Sequence, residues 1–431
     1  MRKISILCLL LAMMFLGGCQ EKEVLVEEEI TINMYYGDQI DIHDYLENLD
    51  SFYFDNNQKI EELTAGNHEL YLHYRLKNDN TPYKQLFKIN VKAVNLGYNM
   101  ETKTINKGNY QIFNNELEAG VLENLDYVNN SLVLRDNQIQ GSVTTPIYEA
   151  PLFSTIVASW NALTDSNNNI ELMVRVRVDG AWSNYFSYRA WSKNKINYTI
   201  DTKDQLARIS IDMIDILDGK YADAFQIKVF LRRDNLEISS PILKMFSVAL
   251  DLKDESTFVC EDDYYQVVDI PKITQMDEPG IGNIICSPTS TTMMLNYLGI
   301  DITKGDFARM ARDNRSSTIY GNWTYNVAAA GELGVNAYVA KITMEELKAF
   351  IASNQAVVVS IRSTNSNPLT GAPQQYPSGH LMVVKGFTII DGVEYVVVND
   401  PADPNVENVE HLYRVNELNN TWKGYSYIIY K

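Results

Sequence analysis

A chain of 431 residues exceeds the usual size of one core, so two or three domains are expected. Apolar residues make up 45% and aromatics 11%, enough for packed cores and too much for a disordered chain. A net charge of −18 lacks the clustered Lys and Arg that phosphate binding needs, which argues against a nucleic-acid partner.

The first residues form a targeting signal rather than structure. Arg2 and Lys3 precede an apolar run over 4–15, too short to span a bilayer permanently, and Leu16-Gly17-Gly18-Cys19 closes it. That tetrapeptide resembles a bacterial lipobox, which implies cleavage before Cys19 and diacylglycerol on its sulfur. The protein would then be anchored to the outer face of the membrane. An ordinary secretory signal with an incidental cysteine is the alternative. Residues 1–19 are thus a signal and residues 20–29 a polar tether. No later segment is long and apolar enough to cross a membrane. Cys8 falls within the removed signal, leaving Cys260 and Cys286 as either a disulfide or two free thiols.

Residues 30–95 read as an immunoglobulin-like β-sandwich, with alternating apolar runs at 29–34, 68–76 and 84–91. Gly37-Asp38 and Asn78-Asp79-Asn80 supply turns. His43, His68 and His73 fall here. A metal pair at 68 and 73 is disfavoured, because a separation of five puts the two on opposite faces of a strand. Residues 96–255 read as a second sandwich, with alternation at 174–178 and 225–232 and an Asp179-Gly180 turn. Trp160, Trp182 and Trp191 either form a carbohydrate or peptide platform or pack the core, and packing is the commoner use.

Past residue 255, helix-like segments at 289–298, 325–333 and 344–353 precede strands at 356–361, 380–390, 395–399 and 425–430, an α+β order. In Asn283-Ile284-Ile285-Cys286-Ser287-Pro288-Thr289 a cysteine opens a helix whose first turn tolerates Pro288. There the helix dipole and unpaired amides favour thiolate over thiol and can receive an oxyanion. A nucleophilic thiol needs a base. Of His380 and His411, His380 opens an apolar strand, whereas His411 follows Glu410 in a polar stretch. Asp400 ends the next strand of a hairpin and would hold the imidazole, with Asn399 as the alternative acceptor. No metal-ligand spacing appears, and no cofactor is expected.

Ile270-Pro271-Lys272-Ile273-Thr274-Gln275, Cys286-Ser287-Pro288-Thr289-Ser290, Gly379-His380 and Val398-Asn399-Asp400-Pro401 resemble, in that order, the double-glycine-peptidase-like cysteine peptidases. These are relatives of the bacteriocin-leader-cleaving domains of export transporters. Tyr320-Gly321-Asn322-Trp323 and Ala328-Ala329-Ala330-Gly331-Glu332-Leu333-Gly334 resemble its exported, stand-alone branch, in which a β-sandwich module precedes the peptidase. The resemblance implies a papain-like fold over 256–431, a Cys-His-Asp triad and an oxyanion-binding glutamine at Gln275. Ser287 stands where the family usually has glycine. Gln275 lies eleven residues before Cys286, farther than usual, which leaves Gln266 as a rival. The expectation is therefore a multidomain chain, two all-β sandwich modules followed by an α+β papain-like cysteine peptidase, acting on a peptide or protein. Transglutaminase-like acyl transfer, cell-wall peptide hydrolysis and a non-catalytic surface binding role remain alternatives. Leader processing inside a transporter is disfavoured, since no transporter segments are present.

Overall fold

The computed structural model describes residues 22–35, 40–55, 58–60, 63, 66–92, 108–114 and 120–431. The signal segment, the lipobox-like tetrapeptide with Cys19 and the Gly37-Asp38 turn lie outside them. N-terminal sheet domains precede a C-terminal domain with helices, as expected. The chain divides into two compact units at residues 95 and 96.

The first unit is built from strands Val24–Tyr35, Leu49–Phe54, Gly66–Leu76 and Asp79–Lys92. Among the described residues these form one four-stranded sheet, in spatial order first, fourth, third, second. Ile32, Leu72, Phe87 and Ile89 bury the alternating apolar positions. Strand begins at Val24, within the stretch expected to be a tether. The reason lies far along the chain: Val24, Leu25 and Val26 pair in parallel with Tyr83, Lys84 and Gln85, and Gln85 Nε2 donates to the Glu28 carbonyl at 2.7 Å across the bulge that follows. His73 lies between Glu23 and Asp55, at 2.6 and 2.7 Å, and stacks on Tyr53.

In the second unit, the strand Tyr148–Leu163 joins two layers. Its start pairs with Ala222–Arg233, its register shifts between Glu149 and Phe153, and its remainder pairs with Ile242–Leu252. Between the layers Trp160 and Trp191 are wholly buried, in contact with Tyr188 and Tyr325. Trp182 departs from the packing expectation. It is half-buried under the guanidinium of Arg175, 4.6 Å from its ring.

The C-terminal part carries helices α1 (Cys286–Tyr297), α2 (Lys304–Ala311), α3 (Trp323–Gly331), α4 (Met344–Ala352) and α5 (Val415–Thr421). They accompany a six-stranded sheet in the order Asn336–Lys341, Trp422–Tyr430, Val357–Ile361, His380–Ile390, Val393–Asn399 and Glu410–Arg414. Thr303 and Thr343 cap α2 and α4, the latter in a full capping box with Glu346.

The strand Asn336–Lys341 lies at the edge of this sheet, and its outward backbone groups would be orphaned once buried. Side chains of the β module replace a neighbouring strand at every second residue. Asn161 both donates to and accepts from the Ala337 backbone, at 2.8 and 2.9 Å; Ser159 accepts from Val339 N at 3.2 Å; Asn109 repeats the paired contact at Lys341, at 2.7 and 2.9 Å. Helix α3 lies against the same strand of the module because Gly331 has no Cβ, which would sit 2.6 Å from Asn161 Nδ2. Glu332, at the end of α3, accepts from Thr164 N and from Trp191 Nε1. At the other end, the Asp212 carboxylate accepts from Trp323 N. Module and helical part are one body.

Asn161→Ala leaves the N–H and C=O of Ala337 buried without these partners, and should lower the unfolding free energy by roughly 2–4 kcal/mol in chemical denaturation. A change below about 0.5 kcal/mol, ordinary for a surface position, would contradict this account of the seam.

Candidate active site

Helix α1 begins at Cys286, which sets the sulfur beside amides that have no partner inside the helix. Its sequence is rich in Ser and Thr, poor helix formers, and all of these hydroxyls but that of Thr289 find partners. Thr291 and Thr292 donate back to the carbonyls of Ser287 and Pro288, at 3.0 and 2.8 Å. Ser290 donates to the Leu381 carbonyl at 3.0 Å, which ties the helix to the strand that starts with His380. Ser287, the departure from the usual glycine, lies with its hydroxyl 2.9 Å from that of Tyr427.

His380 opens its strand directly after Gly379, whose φ of +97° only glycine adopts easily. The expected hairpin is present: Asp391 and Gly392 turn it with positive φ, Ile390 faces Val393, and Val383 faces Asn399. Asp400 follows, buried completely. Its Oδ1 stands 2.7 Å from His380 Nε2, which leaves Nδ1 for Cys286, whose thiol lies near enough to His380 to be lowered by it. Ala402 N also donates to Oδ1, at 3.0 Å, while the hydroxyls of Tyr376 and Tyr413 donate to Oδ2, each at 2.8 Å. The Tyr376 ring stacks on the imidazole, with centroids 3.8 Å apart and planes 10° from parallel.

Burial alone would raise the Cys286 thiol, but the hydrogen bond and charge of His380 outweigh it and bring the thiol below its ordinary value. For His380 the balance runs the other way. Burial disfavours its charge, yet Asp400 pushes the imidazole up to about 10. Asp400, despite its burial, is held down at about 2, chiefly by His380. The stabilisation from protonated His380 is therefore complete below its ordinary 6.5 and is lost as pH rises through about 10. That from Asp400 is present above 3.8 and lost as pH falls through about 2.

The remaining sequence candidates separate clearly. Asn399 turns away, donating to the carbonyls of Ile270 and Pro271 at 3.1 and 3.2 Å, so Asp400 is the residue beside His380. Gln275 is buried, and its Nε2 donates to the Gly282 carbonyl at 2.7 Å. Its long spacing to Cys286 is taken up by turns at 275–284, closed by Glu278 N to Gln275 O, Gly282 N to Glu278 O and Ile284 N to Ile281 O. Gln266 is occupied elsewhere: its side chain bonds the Ile351 carbonyl, and its chain crosses the sheet at Gly386, where a Cβ would meet Gln266 O at 2.4 Å. His411 is half-buried beside Asp403, at 3.3 Å, and stacks on Tyr413. Cys260 and Cys286 are both free thiols, which removes the disulfide alternative. Tyr376 and Tyr413 gave no sequence signal beyond the nearness of Tyr376 to Gly379 and His380.

Residues 267–430 match the model of the Peptidase_C39 like family, and residues 125–250 match that of the Peptidase C39 N-terminal domain. The chain thus carries a C39-like peptidase domain at its C-terminus, preceded by the N-terminal module of such peptidases. The match supports a peptidase. No curated protein matches the chain. Among solved structures, the CBM51-2 and INT domains of Clostridium perfringens ZmpB align at 12% identity over 86% of this chain and 96% of theirs, with a TM-score of 0.14. A chaperone–tip adhesin complex of CFA/I fimbriae biogenesis aligns at 9% identity over 46% and 55%, with a TM-score of 0.15. Neither likeness carries an argument about this chain.

Iodoacetamide should alkylate Cys286 at a thiolate-like rate well below the roughly 8.5 midpoint of a free cysteine. Mass spectrometry of the alkylated site against pH checks this. A profile coinciding with that of a free thiol would contradict the pairing with His380.

Proposed function

We propose that this chain is a cysteine peptidase tethered by lipid on Cys19 to the outer face of a bacterial membrane, with Cys286, His380 and Asp400 as its triad. The observation that carries the reading is the 2.7 Å bond from His380 to the buried Asp400 carboxylate, with the Cys286 thiol at a helix start near enough for His380 to lower it, within a C39-like domain. The sulfur attacks a peptide carbonyl carbon, and the backbone N–H of Cys286 steadies the oxyanion together with the second Nε2 hydrogen of Gln275. Collapse breaks the C–N bond, and His380 gives its proton to the departing amine, leaving a thioester. Neutral His380 then takes a proton from water, the hydroxyl adds to the thioester, and collapse releases the acid product and restores the Cys286 thiolate beside protonated His380. Acyl transfer would differ only in an amine replacing that water.

Cys286→Ala should abolish cleavage of cell-surface protein, scored by mass spectrometry of newly formed termini. Turnover at the wild-type rate, or amine incorporation with no new termini, would refute the peptidase assignment. Gln275→Ala should slow turnover on the order of 100-fold, the usual effect of losing one oxyanion donor. The anchor has a separate test. Cells fed an alkyne fatty acid should label the wild-type chain and not Cys19→Ser, and equal labelling of both would remove the lipid from the proposal.

A further inference from the structure

The peptidase reading leaves Tyr376 and Tyr413 without a role, although both hydroxyls are committed to one oxygen of Asp400. A phenol carries a single proton to donate, and here each is spent on Oδ2. With His380 and Ala402 N on Oδ1, four donors surround a carboxylate that has no access to solvent.

We propose, resting on the peptidase reading, that Tyr376 and Tyr413 are positioning residues: their hydroxyls keep Asp400 charged and aimed at His380, and the Tyr376 ring seals the imidazole face. The argument is one of desolvation. A carboxylate out of water ionises only where hydrogen bonds replace its hydration. Without the two phenols Oδ2 keeps no hydrogen-bond donor, and the nearest proton is the one on His380 Nε2. Transfer of that proton to Asp400 leaves a neutral acid beside a neutral imidazole, and the Cys286 thiolate loses its counter-charge. Both phenols resist ionisation, through burial and then the adjacent Asp400 charge, so they remain donors.

The two reach Asp400 from different elements, which makes the arrangement stiff. Tyr413 stands on the strand Glu410–Arg414, paired with the strand that delivers Asp400. Tyr376 belongs to the loop before His380, where its N–H donates to Ser363 Oγ at 3.0 Å and Arg362 Nε donates to the Pro377 carbonyl at 2.7 Å. That anchoring lays the ring flat on the imidazole, and the negative face of an aromatic ring favours imidazolium over imidazole.

The test reads Cys286 alkylation by iodoacetamide against pH in the full chain, so no substrate is needed. The variants are Tyr376→Phe, Tyr413→Phe, the double variant and Tyr376→Leu. Each phenylalanine keeps the ring and removes one donor. The double variant should move the acid limb of the profile upward by about one pH unit or more, a tenfold loss of thiolate at a fixed acid pH. Tyr376→Leu should move it further than Tyr376→Phe, because the stack is lost as well. A merely structural role would lower the melting temperature and leave the limb in place. A folded double variant whose profile superimposes on wild type overturns the proposal. Should the double variant not fold, the single variants decide, and unshifted limbs in both overturn it equally. A wild-type profile like that of a free thiol overturns instead the peptidase reading on which it rests.

Discussion

A buried negative charge sets the terms for the rest of the site. Asp400 has no solvent contact, yet its carboxylate is held ionised by an imidazolium, one backbone N–H and two phenols. Four donors for four acceptor positions is a complete accounting, and it explains why a charge this deep does not simply take up a proton. From it follow the raised proton affinity of His380 and the lowered one of Cys286. Helix α1 adds the field of its first turn, and the tie from Ser290 to Leu381 keeps the sulfur and the imidazole from drifting apart.

The same logic of satisfying buried polar groups joins the β module to the helical part. An edge strand covered by another module needs partners for alternate amides and carbonyls. Asn109, Ser159 and Asn161 supply them with side chains, two of the three copying the donor–acceptor pair of a backbone. The module thereby supports the strand beside Trp422–Tyr430, whose Tyr427 meets Ser287 next to Cys286. Without the module that strand edge would stand open.

What could be read from the sequence was local. Cys286 before Pro288, Gly379 before His380 and a hairpin between two apolar runs that ends at Asp400 each announce themselves within a few residues, and the structure sets Asp400 against His380. What could not be read depends on distant partners. The strand from Val24 forms because residues 83–92 lie alongside it, against its tether-like composition. The strand Asn336–Lys341 takes its outer hydrogen bonds from side chains around residues 109 and 160, which no window in the sequence contains. Trp182, expected inside, lies half-buried under Arg175, a cation–π partner that its own stretch of sequence does not reveal. Tyr376 and Tyr413 look like any buried tyrosines until Asp400 is placed between them.

The chain has only five histidines, so His380 can be followed by itself in NMR spectra of imidazole nitrogen, assigned with a His380→Gln variant. Both of its ring nitrogens should stay protonated through neutral pH and lose a proton only near pH 10. An imidazole already neutral near the 6.5 of an unperturbed histidine would contradict the account at its centre.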